Sequence, residues 1–316
     1  MSAIKNVAIV GAGGRSGGFI TKYLLETGKH TVTALTRKGS SSMLPAGTVV
    51  KEIDYADADT IVDALRGQDA LIITLSVQAP EETNMILVSA AIEAGVSWIM
   101  PNEWGPDNAD ASVRKDIAAF ESKGLVRDAI AASKSTKYIS LVTGFWYEWS
   151  LAFPLGFGFD IKNRKVVFYD DGSIKICTST WPQVGRAVAA ILSLPATSTT
   201  GPSLESYANR LVYVKSFTIS QREMFASLLR TTETTESDWT ITQAPARELY
   251  AAGVAELQAG NRNGFIKLLY TRIFFDDGNG NFEAKHGVRN SELGLPEEDL
   301  DEATRIGISR ANNPAQ

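Results

Sequence analysis

Three residue arrangements in this chain could carry chemistry: a lysine inside an apolar stripe, a triplet of glycines, and two cations placed after a strand. Counted as a helix from Lys123, positions i−4, i−3, i+3 and i+7 are Ala119, Phe120, Val126 and Ile130, so the lysine interrupts an apolar face. Desolvation disfavours an ammonium, lowers its pKa and suits the amine to proton transfer. Arg127, one turn further on, would push the same way by repulsion. The same spacing also fits a lysine whose stem packs on the stripe while its head reaches water. The wheel alone does not choose between them.

The glycines lie in Gly11-Ala12-Gly13-Gly14-Arg15-Ser16-Gly17, directly after an apolar run. The common dinucleotide spacing would need glycine at position 16, which is Ser16. The spacing that fits is G-x-x-G-x-x-G at Gly11, Gly14 and Gly17. The physical need is unchanged: a tight turn, backbone close to a pyrophosphate, then close helix–strand packing. The N-terminus of the following helix offers free N–H groups and a positive dipole end to phosphate. An NAD site would place an acid at the end of the second strand to hold the ribose hydroxyls. No acid occurs between Glu26 and Glu52, and Arg37 and Lys38 stand there instead, with Arg15 as a third cation in the loop. Guanidinium and ammonium groups suit a 2′-phosphate, so the expected cofactor is NADP(H). Asp54 and Ser76, which follow the third and fourth strands, join Gly13, Ser16 and the residues above in the expected cofactor site.

The elements that must position these groups alternate. Strands are expected over 6–10, 30–36, 49–53, 70–75, 97–100 and 138–143. Helices are expected over 16–27, 58–65 and 83–94, with one long helix over 113–133. Helices between apolar strands imply right-handed crossovers and a doubly wound, Rossmann-like parallel sheet of the α/β class. After Thr143 the rhythm changes. Two strands, 165–169 and 174–178, flank Asp170-Asp171-Gly172, a hairpin signal. Further helices are expected over 182–192, 246–258 and 264–274, and a strand over 210–214. Ser220 and Glu223 form a capping-box pattern for a helix to Arg230. The reading is an NADP-binding domain over 1–150 and a smaller α+β substrate lobe over 151–316, with residues near 180–230 returning to the first domain.

Composition narrows the function. With 31 basic and 36 acidic residues the net charge is −5, which argues against nucleic acid as a partner. Cys177 is the lone cysteine and His30 and His286 stand far apart, so no metal site and no intrachain disulfide is expected, and a reducing cytoplasm fits best. Residues 144–159 are the most apolar stretch. They are shorter than the ~20 residues of a membrane span and include Glu148 and Pro154, so no membrane is expected. Phe145, Trp146, Tyr147, Trp149, Phe153, Phe157 and Phe159 crowd this stretch. Broad rings suit a flat aromatic ligand, although most are expected to be core. Phe145 and Trp146 lie nearest the end of the sixth strand.

No tyrosine has lysine four positions on, so the Tyr-x-x-x-Lys acid of many short-chain dehydrogenases is absent. The order of motifs resembles another family. Gly11 to Gly17, then Pro101-Asn102-Glu103-Trp104-Gly105, then Phe120-Glu121-Ser122-Lys123 with Val126-Arg127 and Ala129-Ile130, resemble the NmrA-like, isoflavone-reductase-like atypical short-chain dehydrogenases. Thr143-Gly144-Phe145 matches the position where that family lines its nicotinamide and substrate pocket. The resemblance implies that Lys123 is catalytic and near the cofactor, that Phe145 touches cofactor and substrate, and that Asn102, Trp104, Trp146 and Trp149 line the substrate site. Asn102, Trp104 and Thr143 replace the family's Ser, Phe and Asn, so its plant substrates do not carry over. The implied activity is NADPH-dependent reduction of a small aromatic or polyketide-like molecule, with Lys123 as general acid or base. Two other readings keep the fold: a non-catalytic NADP(H) sensor, and an isomerase or dehydratase without net redox change. Monomer and homodimer both remain open.

Overall fold

The computed structural model describes residues 3–76, 79–80 and 82–313; the ends of the two expected units, 1–2 and 314–316, lie outside them. Short apolar runs form the centre because each is long enough for a strand and bounded by turn residues. Strands β1 (Asn6–Val10), β2 (Thr31–Arg37), β3 (Val49–Ile53), β4 (Ala70–Ile73), β5 (Trp98–Met100) and β6 (Lys137–Val142) alternate with helices, except that β3 follows β2 directly. Those helices are α1 (Arg15–Glu26), α2 (Ala58–Leu65), α3 (Glu82–Glu93), α4 (Ala111–Asp116) and α5 (Glu121–Ala132). Then come β7 (Phe145–Trp146), α6 (Tyr147–Ser150), β8 (Phe159–Asp160), β9 (Lys165–Tyr169), β10 (Lys175–Ser179) and α7 (Trp181–Leu192). The chain continues with β11 (Arg210–Tyr213), β12 (Phe217–Ser220), α8 (Gln221–Thr232), β13 (Thr240–Ala244), α9 (Ala246–Gln258), α10 (Asn263–Ile273), α11 (Phe282–His286) and α12 (Leu300–Asn312).

Among the described residues the central sheet has seven strands in the order β11-β6-β5-β4-β1-β2-β3. Every pairing in it is parallel. The order reverses between β1 and β4, which opens a crevice at the strand ends where ligands of such sheets bind. Both faces are covered. One core gathers Ile20 and Leu24 of α1 and Val184 and Val188 of α7 against the strands. The other gathers α2, α3 and Val126 and Ile130 of α5. Strand β11 pairs with β6, so late residues complete the first sheet. A third core, rich in rings, belongs to the second lobe.

Two sequence expectations require correction. The helix expected over 113–133 is broken. Ile117 has φ −122° and ψ 86°, and a single 3-10 turn, Ala118–Phe120, separates α4 from α5. Residues far along the chain hold the break: the Arg272 guanidinium pairs with the Asp116 carboxylate, and the Tyr250 hydroxyl donates to the Asp116 carbonyl at 2.8 Å. The change of direction lets one apolar stripe serve two cores. Val113, Ile117 and Phe120 enter the ring-rich core, whereas Val126 and Ile130 face the sheet.

The strands flanking Asp170-Asp171-Gly172 do not form a hairpin. Strand β9 pairs with β8 and β13, and β10 pairs with β7 and β12. The turn itself exists, with Asp170 at φ 52° and Gly172 at φ 76°. Its polar groups are engaged by other elements: the Ala246 N–H donates to the Asp170 carboxylate and the Arg222 N–H to the Gly172 carbonyl. The turn therefore sends its two strands into different sheets.

Candidate active site

The glycine loop sits at the crevice. Gly11 has φ +82°, and a Cβ there would lie 2.2 Å from the Thr74 carbonyl oxygen; one on Gly17 would lie 2.1 Å from the Gly11 carbonyl oxygen. Both positions therefore need glycine, one for conformation and close approach and the other for close approach. The Gly14 N–H donates to the Gly11 carbonyl at 2.8 Å and closes the turn. Gly14 is the N-cap of α1 with no side-chain cap, and no acid stands in the first helical turn. The first amide donors are thus left for an anion. Ser16 lies in that first turn. Arg37 ends β2, and Lys38 follows it; both are exposed, and neither forms an ion pair among the described residues. Asp54 is exposed beyond β3, and its carboxylate accepts the Ala56 N–H. Ser76 lies beyond β4 and its carbonyl accepts the Ala79 N–H.

Arg15 points elsewhere than toward Arg37. Its guanidinium lies 4.1 Å from the centre of the Trp149 ring. Trp149 neighbours Phe153 and Trp181, and Trp146 also neighbours Trp181. The loop arginine therefore joins the phosphate-type loop to the aromatic stretch after β6. Phe145 is buried with its ring stacked on Tyr270 at 4.0 Å, inside the ring-rich core. Trp104 donates its indole N–H to the Ile73 carbonyl at 2.7 Å and packs against the core under α1.

Lys123 lies on α5 above Phe120, 6.0 Å from that ring, and its ammonium donates to the Asn102 carbonyl at 2.9 Å. Asn102 is held in turn by its amide, which donates to the Leu75 carbonyl at 3.3 Å. Burial holds the Lys123 pKa below the ordinary lysine value; the Glu103 carboxylate opposes that shift and Arg127 adds to it. A cleft of about 220 Å³ opens here, lined by Lys123, Asn102, Pro101, Met85, Leu125 and Val126 among others. Its walls are mostly hydrocarbon, and its polar lining residues besides Lys123 and Asn102 are the exposed α3 acid Glu82, the buried Glu103, Asn84 and Ser122. Such a site can protonate or deprotonate a bound oxygen.

The structure thus groups the candidate residues in three places. Lys123 and Asn102 share the cleft, Arg15, Trp146 and Trp149 gather beside the glycine loop, and Phe145 is packed in the ring-rich core of the second lobe. The cluster beneath Lys123 was not foreseen. Glu103 is buried with its carboxylate bonded by Arg127, Asn108 and Ser140. An acid directly after the buried strand Trp98–Met100, within Pro-Asn-Glu-Trp-Gly, was the available signal. The segment after β2 was also missed: the Met43 carbonyl would lie 2.8 Å from a Cβ on Gly13, which puts the serine run before it beside the loop. Three consecutive serines after two cations were the signal there.

The NmrA-like family model matches residues 3–156. The chain is 27% identical over 300 residues to the oxidoreductase aprR of Aspergillus flavus, spanning 94% of this chain and 96% of that protein. In three dimensions it matches the structure of AtPrR2 with NADP+ and (+)pinoresinol, with a TM-score of 0.77 at 21% identity over 97% of this chain and 100% of that one. It also matches an isoflavone reductase, with a TM-score of 0.72 at 21% identity, covering 96% and 99% of the two chains. No helix among the described residues is long and apolar enough to cross a membrane, and none of their side chains cluster as a metal site.

Proposed function

We propose that this chain, NmrA-like over residues 3–156, is an NADPH-dependent reductase of a small, flat, aromatic or polyketide-like substrate, with Lys123 as its proton-transferring group. The observation that carries the reading is the Lys123 ammonium: set in a hydrocarbon-walled cleft, bonded to a neutral carbonyl, on a fold whose glycine loop offers uncapped helix amides. The fungal relative named an oxidoreductase and the NADP+ complex of similar fold support it.

The residues present fit the cofactor. Gly11, Gly14 and Gly17 leave room where a Cβ would close the loop, and the first turn of α1, including Arg15 and Ser16, would take the pyrophosphate. Arg37 and Lys38 would hold a 2′-phosphate, in line with the missing acid at the end of β2. NADPH supplies the hydride when bound.

The chain supplies the rest. The Asn102 carbonyl fixes Lys123 Nζ, which gives a proton to a substrate oxygen or, in the reverse sense, takes one from a phenol. Met85, Pro101, Leu125 and Val126 give the reacting oxygen a hydrocarbon wall. Asn102 borders the reacting end, and Trp104, Trp146 and Trp149 are proposed to shape the wider substrate wall, with Phe145 packed in the core behind them.

The test is cofactor binding and NADPH oxidation against a panel of quinones, aryl ketones and enones. The expected result is NADPH binding at least tenfold tighter than NADH, with oxidation by some panel members. Equal binding of the two nucleotides would overturn the phosphate assignment. Tight NADPH binding with no oxidation by any compound would favour the sensor and contradict the reductase.

A further inference from the structure

We propose that Arg127 and Glu103 form a charge-setting pair for Lys123, in which the arginine withholds the nearest buried carboxylate so that the lysine is left without an anionic partner. The proposal rests on the reading of Lys123 as the proton-transferring group and explains how that group is kept ready. It begins with three charges in a confined space. Glu103 is 2% exposed and Arg127 is 6% exposed. They form a direct ion pair through one carboxylate oxygen, Oε2. That same oxygen also accepts from the Ser140 hydroxyl at 2.6 Å and the Asn108 amide at 3.2 Å. The Asn108 side-chain oxygen in turn accepts from Arg127.

The other oxygen, Glu103 Oε1, is buried and has no hydrogen-bond partner among the described residues. A buried carboxylate oxygen left unused is costly, and an ammonium is its natural donor. Lys123 is near enough for the Glu103 charge to act on it, yet it donates to the neutral Asn102 carbonyl and forms no ion pair among the described residues. The carboxylate is therefore held by the guanidinium, not by the amine. Arg127 is suited to this role because a guanidinium keeps its charge when buried and binds two acceptors at once, here Glu103 and Asn108. Lys123, four residues earlier on the same helix face, has no such means of keeping its proton.

The surroundings leave no other strong counter-charge. From α3, Glu82 lines the cleft but is exposed to water. From α5 itself, Asp128 is exposed and acts on Tyr138 of β6, whose own pKa is raised, chiefly by burial. From α4, the Arg114 guanidinium approaches Gly124, the residue after Lys123, and adds positive charge. Glu103 is thus the buried anion that opposes the desolvation of Lys123, and Arg127 limits how much of that anion Lys123 feels.

The pair makes opposite predictions for its two members. Arg127→Met frees Glu103 to take the Lys123 ammonium, so the lysine should hold its proton to higher pH. Glu103→Gln leaves Arg127 uncompensated, so the lysine should lose its proton at lower pH. Each shift should be on the order of one pH unit. The measurement is the pH dependence of Lys123 acylation by acetic anhydride, read by mass spectrometry on the full chain without nucleotide or substrate. This readout does not depend on the reductase activity, so it can fail while that reading stands, and the reverse. In the unmodified protein the Lys123 midpoint should lie below those of the exposed lysines. Arg127→Gln, which removes the charge but keeps a hydrogen-bond donor, should move the midpoint upward as Arg127→Met does and serves if Arg127→Met does not fold. Equal midpoints in parent and Glu103→Gln, or a Glu103→Gln midpoint that moves upward, would overturn the proposal. So would an unchanged or lowered midpoint in folded Arg127→Met or Arg127→Gln.

Discussion

Lys123 and Glu148 are titratable groups of opposite sign, both driven toward their neutral forms by burial, in different surroundings. Lys123 borders a cleft of about 220 Å³ and bonds a single neutral carbonyl. Glu148, on α6, is 2% exposed and lies between packed helices. One of its oxygens accepts the Trp181 N–H at the start of α7, and burial pushes its pKa up from 4.5 to about 7. Burial alone therefore does not mark a catalytic group. A half-buried amine that can reach a ligand is a tool for proton transfer, whereas a buried acid enclosed by helices is a pH-dependent part of the fold.

Exchanging the consequences of the two residues would break this contrast. The largest effect is expected from Lys123→Ala: turnover with the responsive panel compound should fall by about 10²–10⁴-fold. NADPH affinity and melting temperature should change little, as measured by titration and thermal unfolding. A protein that melts much earlier but turns over normally would assign Lys123 to structure.

Glu148→Gln should do the reverse. The folded state of the parent holds this proton more tightly than the unfolded chain, so it loses stability as pH rises from about 4.5 through about 7 and stays lower above that range. The loss approaches about 3 kcal/mol, and the glutamine removes it. Urea unfolding at pH 5 and pH 8 checks this: the parent should weaken relative to Glu148→Gln at the higher pH, with turnover unaffected. A constant difference between the two proteins across that range would contradict it.

The smallest effect concerns the arginine near the same tryptophans. The Arg15 guanidinium faces the Trp149 ring from an exposed position, where such a contact is worth about 0.5–1 kcal/mol. Arg15→Ala should weaken NADPH binding about two- to fivefold and reduce the tryptophan fluorescence change on binding. An unchanged affinity with an unchanged spectral response would separate the aromatic cluster from the nucleotide loop.

Much of the first sheet was legible because its signals are local. Val7-Ala8-Ile9-Val10 followed by glycines specifies a buried strand and a tight turn within a dozen residues, and the strand runs Asn6–Val10 as read. The capping box of Ser220 and Glu223 is equally local and both of its bonds form. The broken helix was not legible, because the residues that hold Asp116 are Tyr250 and Arg272, more than a hundred positions away. The turn at Asp170 was read correctly as a turn and wrongly as a hairpin, because turn chemistry is local while strand pairing is set by the whole lobe. At the site, the Lys123 stripe could be read from helical periodicity. The Glu103–Arg127 pair could not, since the two lie 24 positions apart and only the fold brings them together. Helix α12 was overlooked although Asp299 accepts the Glu302 N–H as its cap; the Gly- and Asn-rich stretch before it hid the pattern.

The most direct test of the half-buried Lys123 amine acting as the acid is the pH dependence of kcat/KM for NADPH oxidation with the best panel compound. If Lys123 donates the proton, activity should fall tenfold per pH unit above a midpoint lower than that of an exposed lysine, and the residual activity of Lys123→Ala should lack that descent. A flat profile in the parent, or the same descent in both proteins, would contradict the assignment.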